Sequence, residues 1–421
     1  MLGKQLHKAG RRDTLSPVIL APFVFGLLPL ESSQAVYTKA LDGMGASAAG
    51  KLHHQLHGSG MELATGIKAT KVSYFSPRTN SPEGQPQRLS GALFLPSRGR
   101  AKGLVVYCHG TQAVRTSAPS SSPKDAFGIA VTFISRGFAV AMPDYLGLGD
   151  STEVHPFPLG RINAASAIDL IGPSRKVASD LGMPIGPKLF VSGFSEGGAV
   201  AMWTTRLIEE DPSLGLTIGG SAPIAGPYDL TGVTARSMAA DQSNPLWRVG
   251  RSYLSGYIGW SAERWAGVKT EDLFSPSMAS YVRHVFSTST SDWQVMEKLA
   301  KKALQLRPLA LSIRPLLQPA FADALKNQDT SHPLIKLLEQ NNCYDWLPQS
   351  PMRLIALERD FVVDVENSRK TLRIMRAKGA DPKNLDLLIL TDGNDHIKAE
   401  LPAAYEAAEF FDDLAAQKTS P

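Results

Sequence analysis

The stretch PKLFVSGFSEGGAVAMW, Pro187–Trp203, decides the fold. A short apolar run, LFV, meets a serine set among glycines, and a second apolar run, AVAMW, follows at once. The first reads as a buried strand and the second as the opening of a helix. Gly193, Gly197 and Gly198 stand where the chain must turn between them, and small residues keep a sharp turn clear of the adjoining strand and helix. The pattern predicts that Ser195 is held in a strained turn at the strand end, with its hydroxyl at the helix N-terminus.

Outward from this stretch, strand and helix signals alternate. Upstream, KVSYF (71–75) and LSGALFLP (89–96) read as strands joined by the turn-rich SPRTNSPEGQPQ. GLVVYC (103–108) and FAVAM (138–142) read as buried strands, with helices over 125–135 and 164–180. Downstream come a helix over 198–210 and a strand over 216–226. The rhythm stops between about 231 and 345, where Leu/Ala-rich helical segments such as DWQVMEKLAKKALQL are broken by Pro308, Pro315, Pro319 and Pro333. It resumes with strands at 352–358 and 385–391 and helices at 366–380 and 401–415. This alternation predicts an α/β protein with a mostly parallel sheet, helices on both faces and a helical insertion. The expected organisation is a leader over 1–35, a core formed by 36–230 and 346–421, and a helical cap over 231–345.

The leader is read from a basic segment, KQLHKAGRR, followed by an apolar run from Leu15 to Leu30 and then by Ser33 and Ala35 in a small-x-small arrangement. Pro17, Pro22 and Pro29 argue against a stable membrane-spanning helix, so cleavage after Ala35 and export to the periplasm or beyond are expected. The chain of 421 residues has a formal net charge of +5. Four cations against two acids in residues 1–35 account for part of it, and no Lys/Arg block follows, so no nucleic-acid partner is expected. His53, His54 and His57 have no neighbouring carboxylate or thiol and read as a solvated helix face, not a metal site. Cys108 and Cys343 fall in unrelated segments and read as two separate thiols.

A serine nucleophile needs a base, and the base needs an acid to orient it. Three histidines follow Ser195: His284 and His332 fall in the insertion, whereas His396, in TDGNDHIKAE, lies between the last strand and the last helix. His396 is therefore the expected base. The acid is expected after the strand at 352–358, where Asp360 comes directly at the strand end; Asp364 is the alternative, or a cap for the following helix, and Asp229 is a third candidate on an earlier strand. The expected oxyanion donors are the main-chain N–H of Glu196, next after the nucleophile, and that of Thr111 in VVYCHGTQ, with Gly110 second. His109 and Asp144 read as structural residues of the loops around the site.

The ordered set GQPQRLSGALFLP, YCHGTQ, APS, PDYLGLGDS…HPF, GFSEGG, AGPYDL and RDFVVDVENS, followed by a late His, resembles the bacterial secreted serine esterases and lipases of the α/β-hydrolase superfamily, which are related to the fungal secretory lipases. The resemblance spans about residues 70–415. It implies an α/β-hydrolase fold, a Ser195–Asp360–His396 triad, a helical cap over the pocket and no cofactor or metal in the reaction. The expected function is hydrolysis of a small-molecule or lipid ester, with transient contact to a lipid surface. A serine peptidase of the same fold and a non-catalytic binding protein are the competing readings. In the family Pro often stands where this chain has Asp364, so both aspartates stay open here.

Overall fold

The structure, a computed structural model, describes residues 36–58, 65–80, 84–241, 245–306, 312–391 and 395–417. The expected leader and Pro308 lie outside them. The strands among them are β1 (Tyr37–Ala40), β2 (Ile67–Asn80), β3 (Pro86–Pro96), β4 (Ala101–Cys108), β5 (Ala139–Pro143), β6 (Ile185–Phe194), β7 (Ile218–Ile224), β8 (Met352–Leu357) and β9 (Leu385–Leu390). They form one sheet in the order β1-β2-β3-β5-β4-β6-β7-β8-β9. Pairing is antiparallel from β1 through β3 to β5, and parallel from β5 to β9.

The parallel strands are apolar on both sides because helices cover both faces. Val105, Tyr107, Val140, Phe190 and Ile355 face one core, under helices α1 (Ala46–His57), α2 (Pro123–Ile134) and α13 (Glu400–Ala416). Leu104, Val106, Ala141, Val191 and Leu354 face the other, under α3 (Gly160–Asp180), α4 (Glu196–Glu210) and α12 (Glu366–Ala377). The same strands thus supply alternate residues to two cores, which is the period-2 geometry of a strand buried on both sides.

Between β7 and β8 the chain leaves the sheet for helices α5 (Ala235–Ala239), α6 (Pro245–Trp265), α7 (Thr270–Leu273), α8 (Pro276–Thr288), α9 (Asp292–Leu306), α10 (Pro319–Asn327) and α11 (Pro333–Glu339). They close around a third core containing Trp247, Tyr257, Phe274, Val282, Leu299 and Leu338. Pro319 and Pro333 do not merely interrupt helices. Each opens one, at the position where its missing N–H costs nothing.

Three local expectations change. β2 runs to Asn80, through residues read as a turn, and its pairing with β3 shifts register between Ser76 and Asn80, around Pro77. α3 begins at Gly160, four residues before the expected start, where a Cβ would sit 3.0 Å from the Trp203 ring. The histidines of α1 are only in part a solvated face: His54 is exposed, but His53 is fully buried, and His57 Nε2 lies 2.8 Å from Thr132 Oγ1 on α2. Both rings pack near Tyr405 of α13, so the apolar faces of α2 and α13 draw this side of α1 inward. Cys108 and Cys343 are both buried and unpaired, and burial pushes the Cys108 thiol up to about 12.

Candidate active site

The turn after β6 has the backbone that its glycines require. Ser195 sits at φ 60° and ψ −120°, outside the regions a side chain favours. A Cβ on Gly197 would lie 2.0 Å from the Cys108 carbonyl oxygen, and one on Gly193 would lie 2.4 Å from that of Gly197. The turn therefore presses against the end of β4, and no larger residue fits. It is held by Ser195 N–H donating to Ile224 O (3.0 Å) and Gly198 N–H donating to Ser195 O (2.9 Å). α4 starts at Glu196, so the Ser195 side chain stands at a helix N-terminus.

His396 and Asp360 come to this serine from loops that follow β9 and β8. Ser195 Oγ lies 2.9 Å from His396 Nε2, and His396 Nδ1 lies 2.7 Å from Asp360 Oδ2. The carboxylate accepts only, so Nδ1 carries the hydrogen and Nε2 is left to accept from the serine hydroxyl. The other Asp360 oxygen accepts from the N–H groups of Val362 (2.8 Å) and Val363 (2.9 Å), which fix the carboxylate. The Phe194 ring, 4.7 Å away between centroids, packs on the imidazole. His396 is 6% exposed and the Asp360 side chain 1%, so the chain of hydrogen bonds runs where water competes little.

The competing candidates have other partners. Asp364 Oδ1 accepts from Glu366 N–H (2.9 Å) and caps α12. Asp229 is buried and accepts from the N–H groups of Gly232 and Val233 and from Lys370 Nζ (2.7 Å). His284 lies against Tyr281, and His332 against Phe321, both within the insertion. His109 packs on the Tyr145 ring at 4.1 Å, with Nδ1 2.7 Å from Gly110 O. Buried Asp144 accepts from Ser90 Oγ (2.5 Å) and from Ser120 N–H (2.8 Å), tying the loop after β5 to β3. Its burial pushes the carboxyl upward from the ordinary range.

Two cavities meet at Ser195. One is lined by Thr111, Ser195 and Glu196 at one end, and by Leu254, Leu317, Phe321 and Leu338 of the insertion beyond. Its walls are almost wholly apolar. The other passes Thr111, His396 and Phe194 toward Tyr107 and Glu400, with exposed Trp293 and Ile397 along it. Glu400 accepts from Tyr107 Oη (3.0 Å), and burial raises its carboxyl above the usual range. Thr111 and Glu196, the expected oxyanion donors, both line the first cavity together with Ser195.

The insertion also grips the loop carrying Thr111. Asp292, at the start of α9, accepts from Ala113 N–H (2.5 Å) and Val114 N–H (3.0 Å), and Tyr257 of α6 donates to Gln112 O (2.8 Å). The sequence gives no sign of these ties, because each joins residues more than a hundred positions apart. A buried pair between His155 and the Glu196 side chain, 2.9 Å apart, is equally hidden, although HPF is part of the motif set.

The sheet order, the turn at Ser195 and the placement of the late histidine define an α/β hydrolase. The chain superimposes on solved proteins of that fold. A Legionella pneumophila protein matches with a TM-score of 0.80 at 22% identity, over 92% of this chain and 100% of that one. The rice cell wall degrading esterase LipA from Xanthomonas oryzae matches with a TM-score of 0.74 at 22% identity, over 90% and 97%. Candida antarctica lipase A in its closed state gives 0.60 at 15%, over 89% and 82%. At these identities the likeness defines the fold. A comparison with curated proteins finds no match. Residues 124–387 match the sequence profile of the secretory lipases, and the chain belongs to that family. It is a carboxylic-ester hydrolase of the lipase/esterase type.

Proposed function

We propose that the protein is an exported serine esterase or lipase that cleaves acyl esters through Ser195, His396 and Asp360. The observation that carries this reading is the unbroken hydrogen-bonded line from Ser195 Oγ through His396 to Asp360, placed where an apolar cavity opens. His396 Nε2 takes the hydroxyl proton as Oγ bonds to the ester carbonyl carbon. Asp360 holds the tautomer and stabilises the imidazolium. The N–H groups of Thr111 and Glu196 take the negative charge on the carbonyl oxygen. The C–O bond to the alcohol then breaks, and the alcohol leaves with the proton from His396. Water attacks the acyl-enzyme, again giving its proton to His396; the bond from the acyl carbon to Oγ then breaks, Oγ takes the proton back from His396, and the carboxylic acid is released.

The insertion over 231–345 acts as a cap whose inner surface takes the acyl chain. The wall of Leu254, Leu317, Phe321 and Leu338 suits a fatty acyl group, since burial of each methylene contributes about 0.8 kcal/mol. Residues 1–35 serve as an export leader, in line with a secretory family. The test is turnover of p-nitrophenyl esters by Ser195→Ala, which is expected to lose on the order of 10⁴-fold or more in kcat. Retained turnover removes Ser195 from the role. An ester panel of graded acyl length, with tributyrin and long-chain emulsions, then separates lipase from short-chain esterase.

A further inference from the structure

The mechanism leaves one buried titratable pair beside the nucleophile unused. Glu196, next to Ser195, meets His155, and their side chains are 2% and 3% exposed. His155 Nε2 lies 2.9 Å from Glu196 Oε1, and Asn163 Nδ2 donates to the same oxygen at 3.2 Å. The other ring nitrogen, Nδ1, lies 2.7 Å from the main-chain oxygen of Leu146. A carbonyl oxygen has no hydrogen to give, so Nδ1 carries one and donates it. The contact between Nε2 and Oε1 then holds a single proton. Whether that proton sits on nitrogen or on oxygen, the pair as a whole is neutral.

That neutrality matters because of where the pair lies. Glu196 supplies a proposed oxyanion N–H, so its carboxyl is attached to the residue that receives the developing negative charge. Glu196 Oε2 has no hydrogen-bond partner among the described residues. Without His155, the buried carboxylate would keep only the Asn163 contact and would oppose that charge in a medium that screens poorly.

The His155 ring also links both segments that carry oxyanion donors. It stacks on Tyr145 at 6.0 Å and lies 5.8 Å from Tyr257. Tyr145 packs on His109 with the rings tilted and donates to His109 O at 3.1 Å, while Tyr257 donates to Gln112 O at 2.8 Å. Gly110 and Thr111 lie between these anchors.

We propose that His155 is a positioning residue of the ester hydrolysis: it neutralises the Glu196 carboxyl and sets the Glu196 and Thr111 N–H groups in register for the oxyanion. The proposal rests on the Ser195 mechanism above. It is tested by a double-mutant cycle read as kcat and KM on p-nitrophenyl butyrate, with melting temperature and fluorophosphonate titration of Ser195 for each variant. His155→Leu lowers kcat about 100-fold and changes KM less than about 3-fold, as expected for loss of an interaction made in the transition state. Glu196→Gln alone costs less than about 5-fold, because the amide can donate to neutral His155 Nε2. His155→Leu/Glu196→Gln regains at least about 10-fold of the kcat lost by His155→Leu, the signature of a coupled pair. A double variant as slow as His155→Leu, with equal melting temperature, overturns the proposal. So does Glu196→Gln slower than His155→Leu. Should His155→Leu not fold, His155→Gln keeps a donor without the charge: a loss reversed by Glu196→Gln supports the proposal, and a loss not reversed overturns it. Wild-type turnover without labelling of Ser195 overturns the Ser195 mechanism and this proposal with it. Labelling combined with failed rescue overturns this proposal alone.

Discussion

Two histidine–carboxylate pairs flank Ser195: His396 meets its carboxylate through Nδ1 and His155 through Nε2, and the nitrogen left over has a different partner in each. In both, a buried imidazole lies within 3 Å of a carboxylate oxygen, at 2.7 Å for His396–Asp360 and 2.9 Å for His155–Glu196. In the first, the remaining nitrogen faces the Ser195 hydroxyl, which can give up a proton. In the second, it faces the Leu146 carbonyl, which cannot. On the proposed mechanism a His–carboxylate pair serves as a base in one place and a brace in the other, according to what its far nitrogen meets.

The sharpest way to break this comparison is at the acid of the first pair. Asp360→Asn reverses the preferred tautomer of His396 and is expected to lower kcat about 10⁴-fold while Ser195 stays in place. Asp364→Asn is expected to leave kcat within about 2-fold, because Asp364 caps a helix. Equal losses from the two substitutions would mean that the line through Asp360 is not the catalytic one.

A smaller effect is expected in the apolar cavity. Leu317→Trp narrows it away from Ser195, so kcat/KM for a twelve-carbon ester relative to a four-carbon ester should fall about 10-fold, with the short ester little changed. An unchanged chain-length profile would remove the insertion from acyl recognition. Asp364→Ala should cost about 0.5–2 kcal/mol of stability through loss of the helix cap, read by denaturant unfolding.

The smallest expected effect lies far from the site, in α1. Burial, then His53, then Arg136 hold the His57 imidazole down to about 4 from its ordinary 6.5. Between those values the unfolded chain binds more protons than the folded one. The contribution to stability is therefore complete above pH 6.5 and is lost as the pH falls toward 4. Melting temperature should decline across that window, and His57→Gln should flatten the decline.

Much of this was legible in the sequence, for a physical reason. Strands buried on both faces are continuous apolar runs, so β4, β6 and β8 declare themselves, and the loops that follow them carry Thr111, Ser195 and Asp360. β1 escaped because all four of its residues are exposed and it is held by backbone pairing to β2, which leaves no side-chain pattern. The start of α3 was hidden because Pro156 and Pro158 stand just before it and break a helical pattern. His155 and Glu196 are 41 positions apart and share no periodicity, so only the fold brings them together.

In the proposed mechanism Ser195 is the nucleophile and His396 drives it. The most direct test is peptide mapping by mass spectrometry after treatment with a fluorophosphonate, on wild type and His396→Ala. The mechanism predicts one adduct per chain, on Ser195, in wild type, and labelling slowed at least about 10³-fold in His396→Ala. An adduct on another residue, or equal labelling rates in folded protein of both kinds, would contradict it.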